Sequence, residues 1–197
     1  MEQKRVSSRK RITKETNIDM QLNLDGEGLF EGSSGVPFFD HMLTLLAKHG
    51  RFNLNLVCKG DIEVDAHHTV EDIGIVLGEL LTEALGDKRG IGRYGDIILP
   101  MDEALILCAV DMSGRPFLNY DVQLTAEQIG MFDTELAEEF MRAFAMSAKI
   151  NLHLMQLAGS NTHHIIEGCF KALARSLRKA VAVEAGSSEI PSSKGML

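Results

Sequence analysis

One feature constrains this chain more than any other: its sequence is written twice. His67-His68-x-x-Glu71 recurs as His163-His164-x-x-Glu167, 96 residues further on. Asn53-Leu54-Asn55-Leu56 recurs as Asn151-Leu152-His153-Leu154 at an offset of 98, so one loop of the second half is two residues shorter. On this alignment His41 falls opposite Glu139. A single His-His-x-x-Glu could be accidental, but two with matching flanks point to an internal duplication. The repeats span residues 10–87 and 95–185, and residues 186–197 form a C-terminal tail.

Hydrophobic periodicity gives both repeats the same order. From 17 to 24 the chain alternates, with Ile18, Met20, Leu22 and Leu24 on one side, the period of a half-buried strand. Asp25-Gly26-Glu27-Gly28 signals a turn, after which a short return strand is expected. Pro37 suits the first turn of a helix over 37–49. Phe52, Leu54 and Leu56 mark a further strand, and 61–65 is a candidate for another short one. Ile73, Val76, Leu77, Leu80, Leu81 and Ala84 recur at helical spacing, so 69–85 reads as a helix. In the second half the apolar run 104–111 is expected to be a central strand, and Ser113-Gly114 a turn. A return strand over 116–123, a helix over 135–149, a strand over 150–155 and a helix over 164–183 follow. The fold class is α+β: two β-β-α-β-α halves, each a sheet with two helices packed on one face.

A net charge of −8 argues against a general nucleic-acid binder, which needs a positive surface. No stretch approaches the ~18 apolar residues of a membrane helix. The opening Met-Glu-Gln-Lys-Arg leads into no apolar segment of a secretory signal. Cys58, Cys108 and Cys169 are widely spaced without a CxxC pair, which suits free thiols in a reducing compartment; the cytoplasm is the expected address.

Each His-His-x-x-Glu sits where a loop opens into a helix. There the carboxylate, three and four residues on, can approach either imidazole. Adjacent helical side chains diverge by ~100°, so His67 and His68 cannot easily hold one ion. Each pair is read as split between two ions, with ligands from both repeats, or from adjacent subunits, meeting at each. Imidazole and carboxylate without thiolate suit manganese, iron or zinc. His41 and His49 share an apolar helix, where a lone histidine is more often a core residue; His41 gains weight from its repeat partner, Glu139. His153, in mid-strand, is read as structural. Gly90-Ile-Gly92-Arg93-Tyr-Gly95 fits GxGxxG, yet it follows a helix and leads into a strand, the reverse of a dinucleotide site. It is read as a connector carrying Arg93. After the Gly186-Ser187-Ser188 break the residues alone read as a disordered tail, although Ser192, Ser193 and Lys194 offer two hydroxyls and an ammonium, a set suited to a phosphate.

These segments together resemble the imidazoleglycerol-phosphate dehydratase family, in its monofunctional form. The resemblance is carried by Arg11-Ile-Thr-Lys-Glu15-Thr-Asn, Phe38-Phe-Asp-His41-Met-Leu, Asp65-Ala-His67-His68-Thr-Val-Glu71-Asp72, Pro100-Met-Asp102-Glu103-Ala, Asp111-Met-Ser-Gly-Arg115-Pro, Asn161-Thr-His163-His164-Ile-Ile-Glu167 and Pro191-Ser-Ser-Lys194-Gly. They span nearly the whole chain in the family's order.

The resemblance implies a lyase of histidine biosynthesis that dehydrates imidazole glycerol phosphate to imidazole acetol phosphate through a metal-bound imidazolate. It implies two Mn²⁺ ions per active site, held by His41, His67, His68, Glu71, His163, His164 and Glu167. A further ligand comes from the position of Glu139, where many members carry histidine. His41, His67 and Glu71 are expected to share in catalysis with Glu15, the residue chosen for proton transfer. Glu15, His41, His49, His67, His68 and Glu71 are expected to touch the substrate, with Arg93, Arg115, Lys171, Ser192, Ser193 and Lys194 around its phosphate. The implied assembly is a homo-oligomeric cage of twenty-four subunits with sites at the interfaces. A two-metal hydrolase and a metal-storage or metal-sensing protein are the competing readings.

Overall fold

A computed structural model describes residues 5–197. In chain order the elements are β1 (Val6–Ile12), β2 (Thr16–Asn23), β3 (Phe30–Ser33), α1 (Pro37–Gly50), β4 (Asn53–Gly60) and α2 (His67–Leu85). The second half repeats them as β5 (Tyr94–Met101), β6 (Ala104–Asp111), β7 (Phe117–Asp121), α3 (Leu136–Ala148), β10 (Asn151–Ala158) and α4 (Thr162–Ala180). Before α3 it inserts a small hairpin of β8 (Gln128–Ile129) and β9 (Phe132–Asp133).

The two four-stranded sheets have matching orders, β1-β2-β4-β3 and β5-β6-β10-β7. Two α+β halves are thus present, and each four-stranded sheet has one strand more than periodicity suggested. β1, with the sequence Val-Ser-Ser-Arg-Lys-Arg-Ile, buries only Ser7, so no apolar alternation betrays it. Its pairing with β2 from Val6↔Asn23 to Ile12↔Asn17 makes it a strand. β5 pairs with β6 in the same way. The expected return strands are also placed differently. β3 and β7 do not fold back on β2 and β6 but lie parallel to β4 and β10. Each is joined to that neighbour by a helix, the crossover a parallel pair needs. Residues 61–65 form a turn rather than a strand. The expected central strand, β6, does lie between β5 and β10.

The helices lie between the two sheets. α2 packs on β1 and β2 and also on α3, while α4 packs on β5 and β6 and also on α1. A Cβ on Gly78 would come within 2.7 Å of Phe144 O and Ala148 N, so α2 and α3 approach backbone to backbone there. Phe39, Phe140 and Phe170 meet at ring-centroid distances of 5.1 to 6.4 Å. Because these rings come from α1, α3 and α4, both halves close over one apolar centre. The first turns of α1 and α4 are thereby brought side by side.

Candidate metal centre

Both histidine pairs stand where expected, and the local reason is a cap. Asn161 Oδ1 accepts from His163 N (2.9 Å) and His164 N (3.4 Å), satisfying amides that a helix N-terminus leaves free. At the matching place Asp65 Oδ1 accepts from His67 N at 2.8 Å. The adjacent rings of each pair lie 6.1 to 6.2 Å apart and nearly perpendicular, at 88° and 83°.

Three residues converge across the repeat boundary. His41 Nε2 of α1 and His163 Nε2 of α4 lie 3.5 and 3.3 Å from Glu167 Oε2. The donor atoms of all three lie within 4.8 Å of one another. The His163 ring also packs edge-on against Phe38, 5.1 Å between centroids, and Phe38 rests on Phe132 of the inserted hairpin. Glu167 is only 7% exposed. Burial opposes its ionisation, but Lys171, which donates to Oε1, and His41 outweigh this and lower its pKa. Lys171 is thus bound to a ligand-type carboxylate, with its ammonium also 3.4 Å from Met101 Sδ.

The second histidines face outward. His68 Nδ1 is 3.0 Å from Asp61 Oδ2, while its Nε2 faces Glu15 Oε1 at 3.8 Å. His164 Nδ1 is 2.7 Å from Glu103 Oε2, and its Nε2 faces Asp102 Oδ2 at 3.8 Å. The Asp61 carboxylate raises the His68 pKa, and Glu103 raises that of His164. The hydrogen bond from His164, helped by backbone amides, brings the Glu103 carboxyl down to about 2. Sequence reasoning singled out neither Asp61 nor Glu103 as a site residue.

Glu139 stands on α3 but points to Arg142, 4.0 Å away, and among the described residues it does not close with His67 and Glu71 as tightly as the His41 group does. His49 is half-buried near the end of α1; burial lowers its pKa, and Lys171 and Arg175 add to the effect.

The remaining expected residues gather elsewhere. Arg93 is bidentate to Asp111 (2.8 and 3.2 Å) and donates to Pro191 O at 2.8 Å, holding the tail. Arg115 lies in the turn of Ser113 and Gly114, and the chain end at Leu197 abuts Gly114. In the tail, Ser192 Oγ accepts from Lys194 N at 3.2 Å, and Ser193 lies between these two. Arg93 N also bonds Ala180 O, at the last residue of α4. His163 stands at the other end of that helix, about 25 Å away at ~1.5 Å per residue. Within one chain the basic cluster and the metal-type cluster are therefore far apart.

A model of the family described as imidazoleglycerol-phosphate dehydratase matches residues 34–177. The chain belongs to the imidazoleglycerol-phosphate dehydratase family. It is 54% identical to the imidazoleglycerol-phosphate dehydratase of Jannaschia sp. (strain CCS1) over 188 residues, covering 95% of this chain and 96% of that one. It is 55% identical to the Exiguobacterium sp. (strain ATCC BAA-1283 / AT1b) enzyme of the same name over 193 residues, covering 98% of each. Among solved structures, the dehydratase of Staphylococcus aureus subsp. aureus N315 superposes with a TM-score of 0.83 at 40% identity, covering 91% of this chain and 99% of that one. That of Pyrococcus furiosus gives 0.83 at 36%, covering 96% and 100%. As a member of this family, the chain is a hydro-lyase of histidine biosynthesis, and its reaction is the dehydration of imidazole glycerol phosphate.

Proposed function

We propose that the chain carries out this dehydration at a manganese centre assembled between copies of itself. The observation that carries the proposal is the convergence of His41, His163 and an ionised Glu167 within 4.8 Å. Two imidazole nitrogens and a carboxylate, without thiolate, suit a borderline or hard divalent cation. The cysteines do not compete: Cys108 and Cys169 are fully buried, and burial raises the Cys108 thiol to about 12 and that of half-buried Cys58 to about 11. His67, His68, Glu71 and His164, with Glu139, complete the proposed ligand set for two ions. When bound, the ions would supply Lewis-acid stabilisation of the negative charge that the substrate's imidazole must carry before its electron pair can expel the side-chain hydroxyl.

The residues of the chain do the rest. Glu167 is held ionised and aimed by Lys171, so its free oxygen stays between the two imidazoles. Glu15, at the tip of the β1–β2 hairpin, keeps its carboxylate 3.8 Å from His68 Nε2. From there it removes the proton next to the departing hydroxyl, a proton no neighbouring carbonyl acidifies. Arg115, Ser192, Ser193 and Lys194 converge on the phosphate, since a dianion needs several donors. Arg93 supports them by fixing the tail through Pro191. His49 and Lys171, neighbours on α1 and α4, are the further residues proposed to contact the substrate.

An oligomer follows from length. The glycerol phosphate side chain cannot stretch beyond about 10 Å at ~1.5 Å per bond. The two clusters of one chain are about 25 Å apart along α4. A second copy must bring its basic cluster to the first copy's metal ligands, and the twenty-four-subunit cage is the proposed form. The three free cysteines suit a reducing compartment, and the cytoplasm is the proposed address.

The test is turnover. Purified full-length protein with Mn²⁺ and imidazole glycerol phosphate is expected to form an enolisable ketone without releasing inorganic phosphate. Metal analysis should find two manganese ions per chain, and native mass a large assembly. Glu15→Gln is expected to lower kcat roughly 10²-fold with manganese content unchanged. Unchanged kcat would remove Glu15 from proton transfer, and a metal-free monomer would sink the shared centre.

A further inference from the structure

In both repeats a carboxylate from outside the His-His-x-x-Glu pattern grips the second histidine at the same ring nitrogen. Asp61 takes His68 Nδ1 at 3.0 Å and Glu103 takes His164 Nδ1 at 2.7 Å. The opposite nitrogens also face carboxylates, Glu15 and Asp102, but at 3.8 Å, beyond hydrogen-bond range. A neutral imidazole carries one N–H. In both rings distance assigns it to Nδ1 and leaves the lone pair on Nε2, the outward nitrogen.

We infer that Asp61 and Glu103 are positioning residues for the reaction, each fixing the rotation and tautomer of its histidine so that Nε2 is offered to an ion. A carboxylate behind a ligating imidazole orients the ring and raises its basicity as a ligand. The inference rests on the proposed role of His68 and His164 as ligands, and it concerns only residues of this chain.

The duplication sharpens the point. Glu15 and Glu103 immediately precede the matching strands β2 and β6, so they are the same residue of the two hairpins. Yet they stand on opposite sides of their histidines. Glu103 grips Nδ1, and its other oxygen accepts from Asn161 N (2.9 Å) and Ser160 N (3.3 Å), which ties the hairpin to the start of α4. Both oxygens of Glu103 are therefore committed. In the first half the grip comes instead from Asp61, beyond β4, where the second half has Gly159 at the matching offset of 98. That substitution leaves Glu15 on the Nε2 side. One copy of the duplicated carboxylate thus became a holder of a histidine, and the other was left free to face the ring's reactive edge.

The test reads tautomers directly, by nitrogen NMR of full-length protein labelled with ¹⁵N-histidine, stripped of metal and held above the imidazole titration range. His68 and His164 are expected to show N–H at Nδ1. Glu103→Ala is expected to shift His164 to the Nε2–H form and leave His68 unchanged; Asp61→Ala should do the reverse. Asp61→Asn keeps an acceptor oxygen and should keep the native tautomer, whereas Glu103→Gln, whose one amide oxygen is claimed by Asn161 N and Ser160 N, turns its NH2 toward Nδ1 and should shift His164 as Glu103→Ala does. Calorimetric titration with Mn²⁺ alone should find a 10–100-fold weaker site in each alanine variant, with most of the loss recovered in Asp61→Asn. An Nε2–H tautomer in the parent protein, or unaltered manganese affinity in both alanine variants, would overturn the inference. Failure of the parent protein to bind manganese at all would instead overturn the metal reading beneath it.

Discussion

Glu167→Gln is expected to remove manganese from the His41–His163 position and to cut turnover by about 10⁴-fold or more. The reason lies in how much one atom does. Glu167 Oε2 stands between two imidazoles, at 3.3 and 3.5 Å, and no other carboxylate among the described residues joins that group. Glutamine keeps the shape but replaces the charge, and its amide offers donors wherever it turns its nitrogen. With glutamine there, this group offers only neutral imidazoles, and the cation loses the one charged partner that the group supplies. Stabilisation of developing charge by a bound metal is worth several kcal/mol, and each ~1.4 kcal/mol is tenfold in rate. The variant should still fold, because the phenylalanine cluster behind it is untouched and the glutamine amide oxygen can still accept from Lys171. Circular dichroism like that of the parent, with metal content lowered and product formation lost, is the expected triple. Full turnover with native metal content would remove Glu167 from the centre.

How much of this could be read in the chain varied with the range of the interactions. The duplication was legible because it lies in residue identity at fixed offsets, and the histidine pairs do open helices. β2 was legible because Ile18, Met20 and Leu22 are buried while their neighbours are not. β1 was hidden because it is polar throughout and becomes a strand only through the ladder β2 offers it. The parallel placement of β3 and β7 was hidden because alternation gives a strand its faces but not its neighbour. The grip of Glu103 on His164 spans 61 residues of sequence and exists only because β5 and β6 lie against α4. The clue that could have exposed it is the equivalence of Glu15 and Glu103, which needs strand boundaries fixed to the residue. Composition was a poor guide to Lys171: a helix lysine looks solvated in sequence, but the folded chain lodges it between Glu167 and Met101.

Two inactive variants, assembled together, are expected to restore each other. One is Glu167→Gln; the other joins Arg115→Ala to Lys194→Ala. The second leaves the metal ligands alone and removes two charge-assisted contacts to the phosphate, worth about 3–6 kcal/mol together, or some 10²–10⁴-fold in kcat/KM. Arg115 is a safe place to cut, since among the described residues its guanidinium makes only a 3.3 Å bond, to the neighbouring Ser113 carbonyl. If the phosphate cluster of one copy serves the metal ligands of another, equal and random co-assembly leaves half of the metal clusters sound and half of the phosphate clusters sound. Roughly a quarter of the sites then draw both from unaltered surfaces. Refolding the two variants jointly should recover about that fraction of the parent activity, while mixing them after assembly should recover none until subunits exchange. Were both clusters of a site drawn from one chain, every chain in the mixture would carry a lesion and activity would stay at the residual level. The length of α4 is what sets these outcomes apart, because no rotation of a side chain closes about 25 Å.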